Sequence, residues 1–342
     1  AWQWESSGSE GYTVEPCDKT DRGTEVILEL KPDTDDEKYG EYLETYTLKS
    51  LVKKYSDYIR YPIRMNMEKS RLKEGSKDEY ESYTEEETLN SMVPLWRKNK
   101  SEITKEQYND FYKSKFSDYE DPAKVVHMYA EGAVTFHALL YIPARAPFNF
   151  YTKDYEKGLQ LYSNGVLIMD RCADLLPDSL SFVRGLVDSQ DLSLNISREM
   201  LQHDRRLQTI ASRVEKKIRS ELETMLKNDR ENYEKFFANF GLQLKYGVYQ
   251  DFGAHKDELK DLLLFRSSAG DKPTTLAEYV SRMKEDQKNI FYVCADTVQK
   301  AALLPQTEAV RERGYEILYL TDPIDEFAVR VLEKYEDKEF KP

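Results

Sequence analysis

The sequence predicts an α/β chain built as a large αβ sandwich, long connecting helices and then a small αβα unit. Three observations carry this. The stretch VTFHALLYI at 134 to 142 is dense in β-formers and ends at Pro143, as a buried strand does. From Leu207 to Met225, apolar residues recur by threes and fours through a Lys- and Arg-rich background, the period of a long amphipathic helix. From about 248, helical patterns alternate with two short apolar runs, 289–295 and 315–320, which implies a parallel pair between helices.

Along the chain, EVILEL at 25–30 alternates like a strand after Arg22-Gly23, and the acidic run KPDTDDEKYGEYLETY at 31–46 is turn-prone and reads as a linker. Leu48, Leu51, Val52, Tyr55 and Ile59 fall at helical spacing and lead into an alternating strand at 62–67, so a helix feeds a sheet. The charge-rich stretch 68–90 has Gly75-Ser76 at its tip, with Glu85 to Glu87 as a solvated face. A helix is expected over 101–116, capped by Ser101 or Thr104. The arms on either side of Asn164-Gly165 form a hairpin, since that dipeptide supplies the two positive-φ positions of a tight turn. The long helix continues through Tyr233 to Leu244 before breaks at Gly241 and Gly247. These elements give an organisation of 1–30, a linker 31–46, a large αβ unit 47–200, a helical connector 201–247 and a small αβα unit 248–342.

Composition limits the function. Of 342 residues 33% are charged, the net charge is −13, and 25 Tyr with 14 Phe supply the apolar bodies of a globular core. An acidic chain lacks the basic footprint of a nucleic-acid binder. No run of about 18 apolar residues suggests a membrane span, and the N-terminus has no signal-peptide pattern. Cys17, Cys172 and Cys294 have no CxxC spacing and read as buried small apolar residues of a reducing compartment; the four histidines show no zinc-ligand spacing, so no metal site is expected. Neither GxGxxG nor GxxxxGK[ST] occurs.

The stretch DSQDLSLNISREMLQ at 188–202 carries the chemistry. Ser197 is an N-cap candidate for the long helix, which places Arg198 in the first turn, where a cation opposes the helix dipole by about 0.3–1 kcal/mol. Either Arg198 faces an anion such as a nucleotide phosphate, or it is solvated or paired with Glu199 or a nearby aspartate. Gln202, four residues on, shares its helix face. Trp96, among Arg97, Lys98 and Lys100, reads equally as a cap on the core edge and as an exposed aromatic for partners. Phe148 and Phe150 in the loop ARAPFNFY either fold onto their own sheet or form an exposed apolar contact.

Six blocks in order resemble the ninety-kilodalton heat-shock chaperones, whose bacterial members are cytosolic ATP-driven dimers: DRGTEVILEL, KYSDYIRYPI, PLWRKNKSEIT, LLYIPARAPF, FVRGLVDSQDLSLNISREMLQ and EYVSRMKEDQKNIFYVCAD. The resemblance implies that 1–30 is the end of an N-terminal ATPase domain, with Thr24 near the adenine site, and that the rest is a complete middle domain in the cytoplasm. It further implies that Arg198 reaches the γ-phosphate of ATP held by the preceding domain, with Asn195 and Gln202 shaping the loop. ATP and Mg²⁺ would serve the full-length protein, with none bound by this chain alone. Trp96, Phe148 and Phe150 would contact unfolded or client proteins. Other implied partners are the N-terminal domain and a seventy-kilodalton-class chaperone; the full-length protein would be a homodimer and this chain a monomer. The family often has bulky or charged residues where this chain has Asn164-Gly165, so a basic contact at that tip is not expected here. Two alternatives remain: a non-catalytic interaction module, or the second domain of a topoisomerase- or mismatch-repair-type ATPase, against which the acidic charge and the SRE loop count.

Overall fold

The computed structural model describes residues 1–8, 11–73, 78–192 and 204–342. The chain divides into two units, Ala1–Ser50 and Leu51–Pro342. In the first, β1 (Trp2–Glu5) and β2 (Thr13–Pro16) form an antiparallel hairpin. The strand expected over 25–30 is not formed. Val26, Ile27 and Leu28 are exposed and in no regular element, because an alternating run becomes a strand only where a neighbouring edge takes up its N–H and C=O groups. In the acidic stretch, Asp33 Oδ1 accepts the Gly40 N–H at 2.7 Å and Thr34 Oγ1 accepts the Glu37 N–H at 3.0 Å, turn closures typical of short polar side chains. Helix α1 (Thr45–Tyr55) crosses the unit boundary.

The second unit starts with a two-stranded ribbon, β3 (Arg64–Leu72) and β4 (Tyr80–Thr88). Cross-strand ion pairs lie on both faces of the ribbon, Lys69 with Glu85 at 3.0 Å on the side of buried Met67 and Arg64 with Glu86 at 3.2 Å on the exposed side. The expected tip at Gly75-Ser76 lies outside the described residues. Helix α2 (Lys105–Phe116) has Thr104 as N-cap with a full capping box to Gln107.

A five-stranded sheet follows, in the order β5 (Lys124–Ala130), β6 (Phe136–Ile142), β9 (Arg184–Ser189), β7 (Leu159–Ser163), β8 (Val166–Cys172). β7 and β9 run parallel; every other pair is antiparallel. The Asn164-Gly165 hairpin forms as expected, with φ of 51° and 82°. Its tip turns inward, since a Cβ on Gly165 would stand 2.5 Å from the Tyr58 carbonyl oxygen. Gly185 in the central strand has the same constraint against the Leu139 carbonyl oxygen, at 2.3 Å.

Two long helices, α3 (Arg205–Asn228) and α4 (Arg230–Tyr249), then cross to a six-stranded sheet. α3 buries Leu207, Ile210, Val214, Ile218, Leu222 and Met225, the stripe its sequence period demands. α4 runs unbroken through both glycines. A Cβ on Gly241 would lie 2.5 Å from the Phe237 ring, and one on Gly247 2.4 Å from Ser179 Cβ, so these residues permit close packing and do not end the helix. The small unit contains more strand than the expected pair. Its order is β11 (Gly270–Thr274), β10 (Phe265–Ser267), β13 (Ile317–Leu320), β12 (Asn289–Cys294), β15 (Lys338–Lys341), β14 (Lys334–Tyr335). β12 is parallel to both β13 and β15. Between β12 and β13 stand two short helices, Val298–Ala302 and Glu308–Glu312, parted at Pro305. The last helix is Asp325–Leu332.

One continuous apolar cluster joins the five-stranded sheet, α3, α4 and the small unit, from Val126 to Tyr335. Lys245 of α4 is buried with it. Its ammonium lies 2.6 Å from Asp325 and 2.7 Å from Asp322 and 4.9 Å from the Phe265 ring centre. Cys172 is buried as expected, but Cys294 is exposed and Cys17 half-buried. Among the described residues no helix is long and apolar enough to cross a membrane.

Candidate functional site

Arg198, Asn195 and Gln202 lie outside the described residues; what can be built is the frame at both ends of 193–203. On the strand side the frame is a buried carboxylate. Asp188, near the end of β9, accepts the Trp96 indole N–H at 2.8 Å, the Arg97 Nε–H at 2.9 Å and the Gly165 N–H at 3.2 Å, and Arg97 Nη2 lies 2.8 Å away in the ion pair. A carboxylate taking that many donors is held in one rotamer. Beyond it, Ser189 Oγ donates to the Thr135 carbonyl at 2.7 Å, Asp191 accepts the Thr135 N–H at 2.7 Å, and Ser163 Oγ donates to the Leu192 carbonyl at 2.6 Å. The chain is therefore pinned to its neighbours up to the last described residue.

On the helix side, α3 begins at Arg205 with Asp204 as N-cap, its carboxylate accepting the Arg206 N–H at 2.8 Å. The helix that carries Leu207 to Met225 thus starts at Arg205 and not at the expected Ser197, which with Arg198 lies outside the described residues. The cation that opposes the dipole at this helix N-terminus is Arg206, and its cause is visible. The Arg206 guanidinium holds Asp204 in a bidentate pair at 2.6 to 3.2 Å and also donates to the Asp191 carbonyl, tying the two ends together. That hydrogen bonding keeps the Asp204 carboxyl below the usual carboxylate range.

Trp96 is 0% exposed, so its expected role as an exposed aromatic does not hold. Its ring packs on Tyr58 at 4.5 Å and Tyr162 at 5.3 Å, and its carbonyl oxygen pairs with His127 Nε2 at 2.9 Å. A Trp N–H is buried readily when an acceptor such as Asp188 meets it. Burial pushes His127, and His137 on the neighbouring strand, below the ordinary histidine range. Phe150 is also buried, against Tyr155 at 4.8 Å and Phe240 at 5.3 Å, which removes it from an exposed contact loop. Phe148 is different: at 100% exposure it stands free at the loop tip. Thr24 is exposed in a stretch without regular structure, and its neighbours Glu25 to Leu30 are exposed with it, so these residues alone form no nucleotide cradle.

Sequence reading overlooked Asp188, Arg97, Asp191 and Arg206. A signal for the first was present, since an acid in the otherwise apolar run FVRGLVDS needs a buried partner.

A family model described as "Hsp90 protein" matches residues 41–88 and 73–342. The chaperone protein HtpG of Alkaliphilus metalliredigens is 60% identical over 340 residues, which is 99% of this chain and 54% of that protein. HtpG of Bacillus subtilis is 58% identical over 341 residues, covering 100% of this chain and 54% of that protein. The chain thus spans about half the length of the curated relatives it matches. Among solved structures, the middle domain of a Plasmodium falciparum heat shock protein is similar with a TM-score of 0.66 and 32% identity, over 72% of this chain and 98% of that one.

Proposed function

From the premise that this chain belongs to the Hsp90 family, we propose that it supplies the middle part of an ATP-driven chaperone and delivers Arg198 to the γ-phosphate of ATP held by a preceding domain. The observation that carries this reading is the frame around 193–203. Asp188 fixes the strand end, the Arg206 pair with Asp204 and Asp191 fixes the helix end, and a segment so tethered can present a side chain at a repeatable place.

Arginine suits the role. Phosphoryl transfer needs charge stabilisation and positioning more than covalent help, and a planar guanidinium meets two phosphate oxygens at once; such a group is worth about 10³ to 10⁵ in rate. Asn195 and Gln202 would shape the loop, and Thr24 would border the adenine once the preceding domain is in place. Mg²⁺ would accompany the nucleotide there, neutralising phosphate charge. On this reading the chain alone hydrolyses no ATP. In the longer protein, Arg198→Ala should lower turnover by orders of magnitude while leaving nucleotide affinity within a few-fold; equal losses in both would reduce the role to ground-state binding.

Client proteins are the second partner in this reading, and Phe148 is the residue through which the chain would meet them. A fully exposed phenylalanine is an available anchor, whereas Trp96 and Phe150 are already used by the core. The topoisomerase-type alternative is set aside by family membership.

A further inference from the structure

Helix α3 and the turn after α4 bring a second set of chemically able side chains together. A carboxylate oxygen of Glu215, one of Glu258 and a ring nitrogen of His255 all lie within 4.8 Å of one another, the one such cluster among the described residues. We propose that this trio is a binding site for a divalent transition metal of the zinc class, with Arg219 as its built-in competitor.

The geometry is close to what such an ion needs. Zinc bonds of about 2.0–2.2 Å in tetrahedral array set neighbouring ligand atoms about 3.3–3.5 Å apart. His255 Nδ1 and Glu258 Oε2 are already 3.3 Å apart, and they sit at i and i+3 around the first turn of Lys256–Leu259. Glu215 comes from a different element, so an ion would join two parts of the fold. One imidazole and two carboxylates suit zinc, cobalt or nickel better than magnesium, which prefers an all-oxygen octahedron. His255 and Glu258 are each 43% exposed, which leaves an entry path and room for water as a fourth ligand.

The neighbouring cations decide what the site holds in the ion's absence. The Arg219 guanidinium is paired with Glu258 and lies 3.9 Å from Glu215, so a single positive charge offsets one of the two acids and leaves the other uncompensated. The nearby lysines are engaged elsewhere: Lys256 donates to the Val331 carbonyl at 3.0 Å and Lys260 to Asp257 at 2.6 Å. A doubly charged ion that bonds three ligands directly can displace one guanidinium. The residues just before the site, Asp251 and Phe252, have φ of 50° and 54°, a conformation that non-glycine residues adopt at a cost. An ion would therefore brace a strained turn against α3.

The test is calorimetric titration of the purified chain with Zn²⁺ in a non-chelating buffer, with Mg²⁺ as the parallel probe. Saturable Zn²⁺ binding with one ion per chain and none for Mg²⁺ is expected. His255→Ala and Glu215→Gln should each weaken it by about 10–100-fold, while Arg219→Gln should tighten it, because it removes the competing charge. Far-ultraviolet circular dichroism of each variant, with folding retained, makes the comparison valid for half-exposed positions. Zn²⁺ binding unchanged by His255→Ala, binding weakened by Arg219→Gln in a folded variant, or no binding at millimolar Zn²⁺ would each overturn the proposal.

Discussion

Replacing Asp188 by alanine tests the frame directly. The side chain is fully buried and accepts from Trp96, Arg97 and Gly165. Its loss leaves the Trp96 indole N–H and the Gly165 N–H without protein acceptors, at about 1–3 kcal/mol for each buried donor. Arg97 counts for less: its side chain is 37% exposed, so the guanidinium rehydrates and its share falls toward the surface range of about 0–1 kcal/mol. The sum, less what a water in the vacated space recovers, is about 3–5 kcal/mol, the range seen when one partner of a buried pair is removed. Urea unfolding of the chain, followed by circular dichroism and by tryptophan emission, reads this as a lower midpoint at unchanged slope. Emission should also shift red, since Trp96 loses its enclosure while Trp2 and Trp4 are exposed in both forms. Asp188→Asn keeps one acceptor and should fall between the two. A loss under about 1 kcal/mol with unaltered emission would refute the view that this carboxylate organises the loop's root.

Other substitutions probe the remaining joints. Lys245→Met strips Asp325 of its partner and should cost about 3–5 kcal/mol at neutral pH. Burial already pushes the Asp325 carboxyl above the ordinary carboxylate range. With a folded-state value above the unfolded one, its contribution is complete below the unfolded value and fades as pH rises through the folded one. The variant's deficit should therefore shrink from pH 7 toward pH 4.5 in paired urea melts. Gly247→Ala adds about 1 kcal/mol of helix propensity, but its Cβ would stand 2.4 Å from Ser179 Cβ; a net lower melting temperature is expected, and a rise would show that the packing yields. Phe148→Ser should leave the urea midpoint unchanged and weaken capture of an unfolded client by the longer protein, whereas an unaffected client affinity would remove Phe148 from that role.

Much of the architecture can be read from pattern. The strand at 134–142, the Asn164-Gly165 hairpin, a helix capped at Thr104 and the stripe on α3 each follow from local rules, and each is present. The failures share a cause, which is that neighbours distant in sequence decide them. Gly247 looks like a break until Ser179, from a distant turn, is placed beside it. EVILEL alternates correctly but pairs with no strand among the described residues. Trp96 among basic residues reads equally as core edge and as exposed until Asp188, 92 positions away, meets its N–H. The candidate site shows the same division. The resemblance of 188–202 to a catalytic loop is legible, while Arg206 and Asp191, which hold the loop's ends, are known only from the fold.

α3 and α4 are separated by a single residue, Asp229, and their 24 and 20 residues give rods of about 36 and 30 Å. One rod starts at the Asp204–Arg206 clamp, and the other is nailed near its far end by Lys245 to the small sheet's last helix. Both ends of the helix pair are thus anchored, so the Asp204–Arg206 clamp and the small sheet's last helix are linked by two rods with a one-residue joint.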